Sequence, residues 1–190
     1  MNKKVNISID MMGGENSPDK TIDGIEIFIK RNKNLNDYFF YLFGDESLIK
    51  EKIKNKSIKN YEIIDTKIVV SDDLPALSAL KKGKGSSMWK SIESQNLLNS
   101  DVSLSAGNTG VLLVMSKMIL KTLEDVDKPA LAGLWPNDKG MNVVLDLGAN
   151  IECSEKNLID FSEMGAALYQ SLYPNDRAKV ALLNVGSEEI

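Results

Sequence analysis

In Asp101-Val102-Ser103-Leu104-Ser105-Ala106-Gly107-Asn108-Thr109-Gly110, Val102 and Leu104 alternate with small polar residues, as in a short strand. The apolar run Val111 to Leu120 that follows is long enough for three helical turns. The loop between them carries two glycines, Gly107 and Gly110, which allow positive φ and leave no β-carbon in the way. The backbone NH groups of Asn108, Thr109 and Gly110 would then converge at a helix N-terminus, where unpaired amides and the helix dipole favour an anion. An ordinary strand-to-helix turn satisfies the same pattern. Neither familiar nucleotide loop is present: no Gly-Lys-Ser/Thr ends the stretch, and Gly-x-Gly-x-x-Gly occurs nowhere in the chain.

Working outward, strands and helices alternate. Val5, Ile7 and Ile9 read as a strand ending at Asp10, and Met11-Met12-Gly13-Gly14-Glu15-Asn16-Ser17-Pro18 breaks it. Ser17 is expected as N-cap with Pro18 at the first helical position, ahead of Ile22, Ile25 and Phe28. Tyr38 to Phe43 is an apolar strand closed by Gly44-Asp45, and Leu48, Ile49 and Ile53 mark the next helix. Short strands are expected at Tyr61 to Ile64 and Ile68 to Val70. Ser71 to Pro75 is loop-like, Ala76 to Leu80 a short helix, and Lys81-Lys82-Gly83-Lys84-Gly85-Ser86-Ser87 a basic glycine-rich loop. Such a loop holds a phosphate or meets an acidic partner, or is simply solvated. Ser87 is expected to cap a helix that turns Ile92 and Leu97 inward.

Beyond Leu120, Pro129 to Pro136 has a buried-strand pattern, and Asn137 to Gly140 turns it into an antiparallel neighbour at Val143 to Leu145. Asp146-Leu147-Gly148-Ala149-Asn150 is a further glycine-bearing break. Ser154 caps a helix to about Tyr173, and Val180 to Val185 reads as a buried strand ending at Gly186 to Ile190. An α/β sheet collects its ligands beyond the carboxyl ends of its strands. Asp10–Asn16, Ser105–Gly110, Asp146–Asn150 and Asn184–Glu188 are therefore expected to share one edge. The last strand has no helix after it, so the chain is expected to be part of a longer domain.

Composition narrows the function. At 190 residues, 43% hydrophobic and 26% charged, the chain reads as one α/β domain over residues 1–190. It has no histidine, which removes histidine triads and histidine metal sites, and its single cysteine, Cys153, suits a reducing cytoplasm. Met1 to Val5 leads into strand without an apolar leader, and no run approaches the ~18 residues of a membrane span. A net charge of -4 and a pI near 5.0 argue against generic nucleic-acid binding. Acid-base chemistry falls to carboxylates, lysines, tyrosines or the substrate.

Five ordered motifs, Asp10 to Asn16, Lys81 to Met88, Ser105 to Gly110, Asp146 to Cys153 and Asn184 to Glu189, resemble those of PlsX, the bacterial phosphate acyltransferase family of phospholipid synthesis. The resemblance runs through all 190 residues. Met11 and Glu15 stand where the family usually has Ala and Asp, and Asp65 where many members have histidine. The resemblance implies a layered α/β/α sheet similar to isocitrate and isopropylmalate dehydrogenases. It also implies transfer of an acyl group from acyl carrier protein to inorganic phosphate, without a cofactor or metal.

On that reading Asn108, Thr109 and Gly110 bind phosphate, with Gly107, Gly13, Gly14, Ser86 and Ser87 around them. Asn150 and Lys84 are polar candidates nearer the thioester. Asp10 and Asp146 either orient donors and position a proton or merely end strands. Cys153 is no nucleophile, since a thioester is already activated. Lys81, Lys82 and Lys84 would dock the acidic carrier protein. The resemblance further implies a homodimer when full length, a cytoplasmic enzyme peripheral to the inner membrane face, and a glycerol-3-phosphate acyltransferase of the membrane as partner. A nicotinamide- and metal-dependent dehydrogenase of the same fold and a non-catalytic carrier-binding module are the other classes open to the sequence.

Overall fold

A computed structural model describes residues 4–32, 34–71, 76–138 and 140–183. The chain divides into two compact units, Met1–Lys121 and Thr122–Ile190.

In the first unit, four parallel strands form a sheet. They are β1 (Val5–Asp10), β2 (Tyr38–Gly44), β3 (Tyr61–Asp65) and β4 (Val102–Leu104), in the spatial order β3-β2-β1-β4. Helix α1 (Asp19–Arg31) joins β1 to β2, and α2 (Glu46–Ile53) joins β2 to β3. Ile7 and Ile9 of β1 lie in register with Phe40 and Leu42 of β2, and this face buries Ile22, Ile25 and Ile29 of α1 and Ile49 and Ile53 of α2. Those residues recur at helical spacing, so α1 and α2 each present one apolar stripe to the sheet. Asp45 caps α2, its carboxylate accepting from the amides of Ser47 and Leu48.

The chain crosses to β4 through α3 (Ala76–Lys82) and α4 (Ser87–Leu97) and leaves it into α5 (Thr109–Leu120). Helix α4 lies on the opposite face and approaches closely because serines line the contact. Ser8 Oγ of β1 meets Ser94 Oγ at 2.5 Å and donates to Ser100 Oγ at 2.7 Å. A second core gathers Met88, Trp89 and Ile92 of α4 with Val111 and Met115 of α5. Helices thus flank a parallel sheet.

Several expectations are corrected. Helix α1 starts at Asp19 with Pro18 as N-cap, because the Ser17 hydroxyl donates to Gly13 O instead of capping. Ile68–Val70 joins no ladder among the described residues; Ile68 O accepts from Ser87 N, so this segment serves the loop before α4. The cap of α4 is Ser86, whose hydroxyl accepts from Trp89 N at 3.2 Å, and Ser87 is the first helical residue. Leu97 is 69% exposed in the last turn, off the stripe that buries Ile92. Lys81 and Lys82 finish α3, where basic side chains suit the helix C-terminus, so the loop proper is short. Of the expected loop Ser71 to Pro75, residues 72–75 lie outside the described set.

The second unit is a hairpin and a helix. Strands β5 (Gly133–Asn137) and β6 (Gly140–Val144) pair antiparallel, Asn137 opposite Gly140, as expected. Strand structure does not extend back to Pro129, however, and Leu134 and Trp135 are exposed, so this is a two-stranded ribbon and not a buried strand. Helix α6 (Glu155–Leu172) opens with a capping box in which Ser154 and Asn157 each bond the other's backbone NH. Val180–Leu183 is exposed and unpaired among the described residues, since an apolar run becomes strand only beside a ladder partner. The rest of that expected strand lies outside the described residues.

Candidate functional site

The order β3-β2-β1-β4 contains a reversal. From β1 the chain builds outward through β2 to β3, then returns to place β4 on the other side of β1. The carboxyl ends of β1 and β4 therefore open a crevice at a topological switch point, where α/β sheets characteristically bind ligands. Two glycine loops meet there.

Asp10 ends β1 at 2% exposure and holds both loops. Its Oδ1 accepts from Met12 N at 3.1 Å and Gly13 N at 3.2 Å, and its Oδ2 accepts from Ser105 Oγ at 2.7 Å. Ser105 Oγ in turn accepts from Gly107 N at 3.1 Å. One buried carboxylate thus ties the loop after β1 to the loop after β4, the charge compensated by fixed donors. A β-carbon on Gly13 would collide with the Asp10 carboxylate and come within 2.9 Å of Gly107 N. Gly14 has φ +84°, and a β-carbon there would stand 2.5 Å from Ala106 O. The positive φ that Gly107 and Gly110 would allow is used at Gly14 and at neither of them. A β-carbon on Gly107 would come within 2.7 Å of Met88 Cε, the end of a flexible side chain.

Helix α5 starts one residue after Asn108, whose side chain caps it by accepting from Val111 N at 3.0 Å. Val111 N is thereby satisfied, which leaves the exposed first turn at Thr109 and Gly110 as the place where helix amides face solvent. Asn108 acts as cap through its side-chain oxygen, which does not engage its own backbone NH.

The other expected site residues distribute as follows. Ser86 and Ser87 are buried, Ser86 by its capping role and Ser87 with its amide on Ile68 O. Lys81, Lys82 and Lys84 are exposed. Asp146 and Asn150 belong to the second unit. There Asp146 Oδ1 accepts from Leu131 N at 2.8 Å and Ala149 N at 3.3 Å, and its Oδ2 accepts from Asn150 N and Asn150 Nδ2, both at 2.8 Å. Burial opposes ionisation of Asp146, but the donors from Leu131, Asn150 and Ala149 outweigh it and hold the carboxyl below the ordinary aspartate value. Asn150 Nδ2 also donates to Pro129 O at 2.9 Å, so its amide group is spent on the loop. Asn184–Glu188 lies outside the described residues. Asp65, at the family's histidine position, accepts from Glu46 N and pairs with Lys67 at the surface.

Ser105, which couples the two loops, has no signal of its own in the sequence. Its position follows from the pairing of Ile9 with Leu104, which sets the next residues, Asp10 and Ser105, side by side.

A family model described as fatty acid synthesis protein matches residues 5–190. The chain belongs to this family. It is 55% identical, over its whole length, to 56% of a protein of Pelagibacter ubique named phosphate acyltransferase. Relatives of the same name from Agrobacterium fabrum and Rhodospirillum rubrum are each 40% identical, over 98% and 99% of this chain and 53% and 54% of their own lengths. The chain therefore spans about half the length of the curated family members it matches. No helix among its described residues is long and apolar enough to cross a membrane.

Proposed function

We propose that this chain supplies the phosphate side of an acyltransferase that moves a fatty acyl group from acyl carrier protein to inorganic phosphate, giving acyl phosphate for phospholipid synthesis. The observation that carries the reading is the Asp10–Ser105 link at the switch point, in a chain whose relatives are named phosphate acyltransferase. That link sets the start of α5, so Thr109 and Gly110 offer their amides to a phosphate held against the β1 loop. A phosphate oxygen attacks the thioester carbonyl carbon, the carbon–sulfur bond breaks, and the departing thiolate takes the proton phosphate gives up. No covalent enzyme intermediate is required. Holding two reactants in line and stabilising the oxyanion supply most of the acceleration.

On this reading Gly13 and Gly14 let the two loops pack closely against each other around the phosphate, with Gly107 in the same loop, and Asp10 positions the loops without touching it. Lys81, Lys82 and Lys84 form a basic rim for the acidic carrier protein. Asp146 and Asn150 organise their own loop within the second unit. The finer fold is the isocitrate dehydrogenase-like sandwich, of which residues 1–190 are the N-terminal part of one domain. A homodimer, a cytoplasmic location at the inner membrane face and a membrane glycerol-3-phosphate acyltransferase as recipient belong to the same proposal.

The test is a phosphate titration of the isotopically labelled chain followed by amide NMR. Saturable shifts at Thr109 and Gly110, lost in Gly107→Val, are expected. Shifts confined to the surface lysines would overturn the site.

A further inference from the structure

A cleft of about 570 Å³ runs between α1 and the β1–β4 edge of the sheet, within the first unit. Its volume falls within the roughly 300–1,000 Å³ of ordinary small-molecule sites. Its floor is hydrocarbon from Ile7, Ile9, Phe28, Phe40 and Leu104. Its other end is polar, lined by Asp10, Glu15, Ser17 and Ser105 beside Gly13 and Ala106, where the two loops meet at the switch point. An apolar trough thus leads to the proposed phosphate site.

The wall contributed by α1 contains an anomaly. Lys20, Gly24 and Phe28, four residues apart, lie along one helix face and all line the cleft. A glycine inside a helix costs stability relative to alanine, and packing usually accounts for it. Packing among the described residues does not account for Gly24, because a β-carbon there would find none of their atoms within 4 Å. Any larger side chain at Gly24 would occupy space beside the trough. What the glycine preserves is access.

We propose that this cleft seats the hydrocarbon tail of the acyl group, with Gly24 setting how long a chain enters. The proposal rests on the acyl-transfer reading and assigns that reaction's apolar substrate a place. The tail lies over Ile9 and Leu104 and its carbonyl end emerges beside Ser105 and Gly13, next to the amides of Thr109 and Gly110. Lys20, exposed at the wall, flanks the polar end of the chain.

The experiment is calorimetry of the 190-residue chain with acyl pantetheine thioesters from butanoyl to dodecanoyl, on wild type, Gly24→Ala and Gly24→Leu. In wild type the affinity is expected to rise about fourfold for each buried methylene, then level off. Gly24→Ala keeps the rise. Gly24→Leu flattens it at shorter chains while the urea midpoint stays level or increases, because leucine favours helix and meets no neighbour. A wild-type series independent of length, or a Gly24→Leu series that climbs as far as the wild-type one, would overturn the proposal and leave the cleft to a polypeptide occupant. Phosphate-induced amide shifts at Thr109 and Gly110, recorded on the same samples, test the underlying reading separately. Chain-length dependence without those shifts keeps the acyl seat and sinks the phosphate site, and the reverse result sinks the seat alone.

Discussion

Asp10 and Asp146 stand in matching sequence contexts, each an aspartate after an apolar strand and each followed within three residues by glycine. They do different work. Asp10 reaches across the sheet to Ser105 and fastens two loops that are distant in sequence. Asp146 collects donors from Leu131, Ala149 and Asn150 and fastens the loops around its own hairpin. The contrast teaches that an aspartate at a strand end marks a loop to be organised, while its partner decides whether that loop belongs to a shared site. Partner identity comes from the pairing of strands, here the parallel register of β1 with β4.

The widest gap between the two regions is expected at their glycines. Gly13→Ala forces a β-carbon against the Asp10 carboxylate and Gly107 N, so backbone must shift in two loops. Overpacking of this kind costs on the order of 2–4 kcal/mol. Gly148 has φ +80° but open space around it, so Gly148→Ala carries only the left-handed backbone penalty of about 1 kcal/mol. Urea denaturation of the two variants checks the ranking. Equal costs would erase the distinction between a crowded crossing and a free loop.

Next come the aspartates. In Asp10→Asn one oxygen still serves Met12 N and Gly13 N, but an amide NH₂ then faces Ser105, whose hydroxyl proton loses its buried acceptor. A loss of about 2–3 kcal/mol is expected, with faster amide exchange at both Gly13 and Gly107. Asp146→Asn sets a donor against Asn150 N in a half-buried site and should cost about 1–2 kcal/mol, with faster exchange confined to residues 129–150. Exchange confined to residues 10–14 in Asp10→Asn would show that the carboxylate does not couple the loops. Ser105→Ala is a lighter cut of the same link, about 1 kcal/mol, measured as a smaller shift in the urea midpoint with Gly107 exchange still raised.

These comparisons explain what was legible in the sequence. Strand and helix alternation was, because Ile7, Ile9, Ile22 and Ile25 bury along regular periods. The hairpin at Asn137 to Gly140 and the capping serine at Ser154 were also legible, both being local signals. Lost were features set by distant partners. Ser17 has the chemistry of an N-cap, but Gly13 O lies within its reach. Ile68–Val70 has strand composition and no ladder to join among the described residues. At the site, the glycine loops were legible and their division of labour was not: positive φ falls at Gly14, while Gly13 is the glycine crowded by the Asp10 carboxylate and Gly107 N. The Asp10–Ser105 bond spans 95 residues, and no local pattern announces it.

The smallest expected effect concerns pH and separates the two aspartates a final time. Burial resists the charge on Asp146, yet its donors prevail, and the folded-state pKa lies below the unfolded value of 3.8. A depressed carboxyl pKa contributes stability that is fully present above the unfolded value and is lost as pH falls through the folded one. Solvent reaches this loop, so screening limits the contribution to below about 1 kcal/mol. As pH falls below about 4, the ordinary aspartate value, and on through the lower folded value, amide protection at Ala149 and Asn150 should decline. The Asp146→Asn variant should lack that decline because it has no proton to gain. Hydrogen exchange along a pH series, corrected for intrinsic rates, makes the comparison. Protection that is flat in the parent chain, or that falls equally in Asp146→Asn, would mean that the loop is held by something other than the Asp146 carboxylate. The local half of the contrast with Asp10 would then fail.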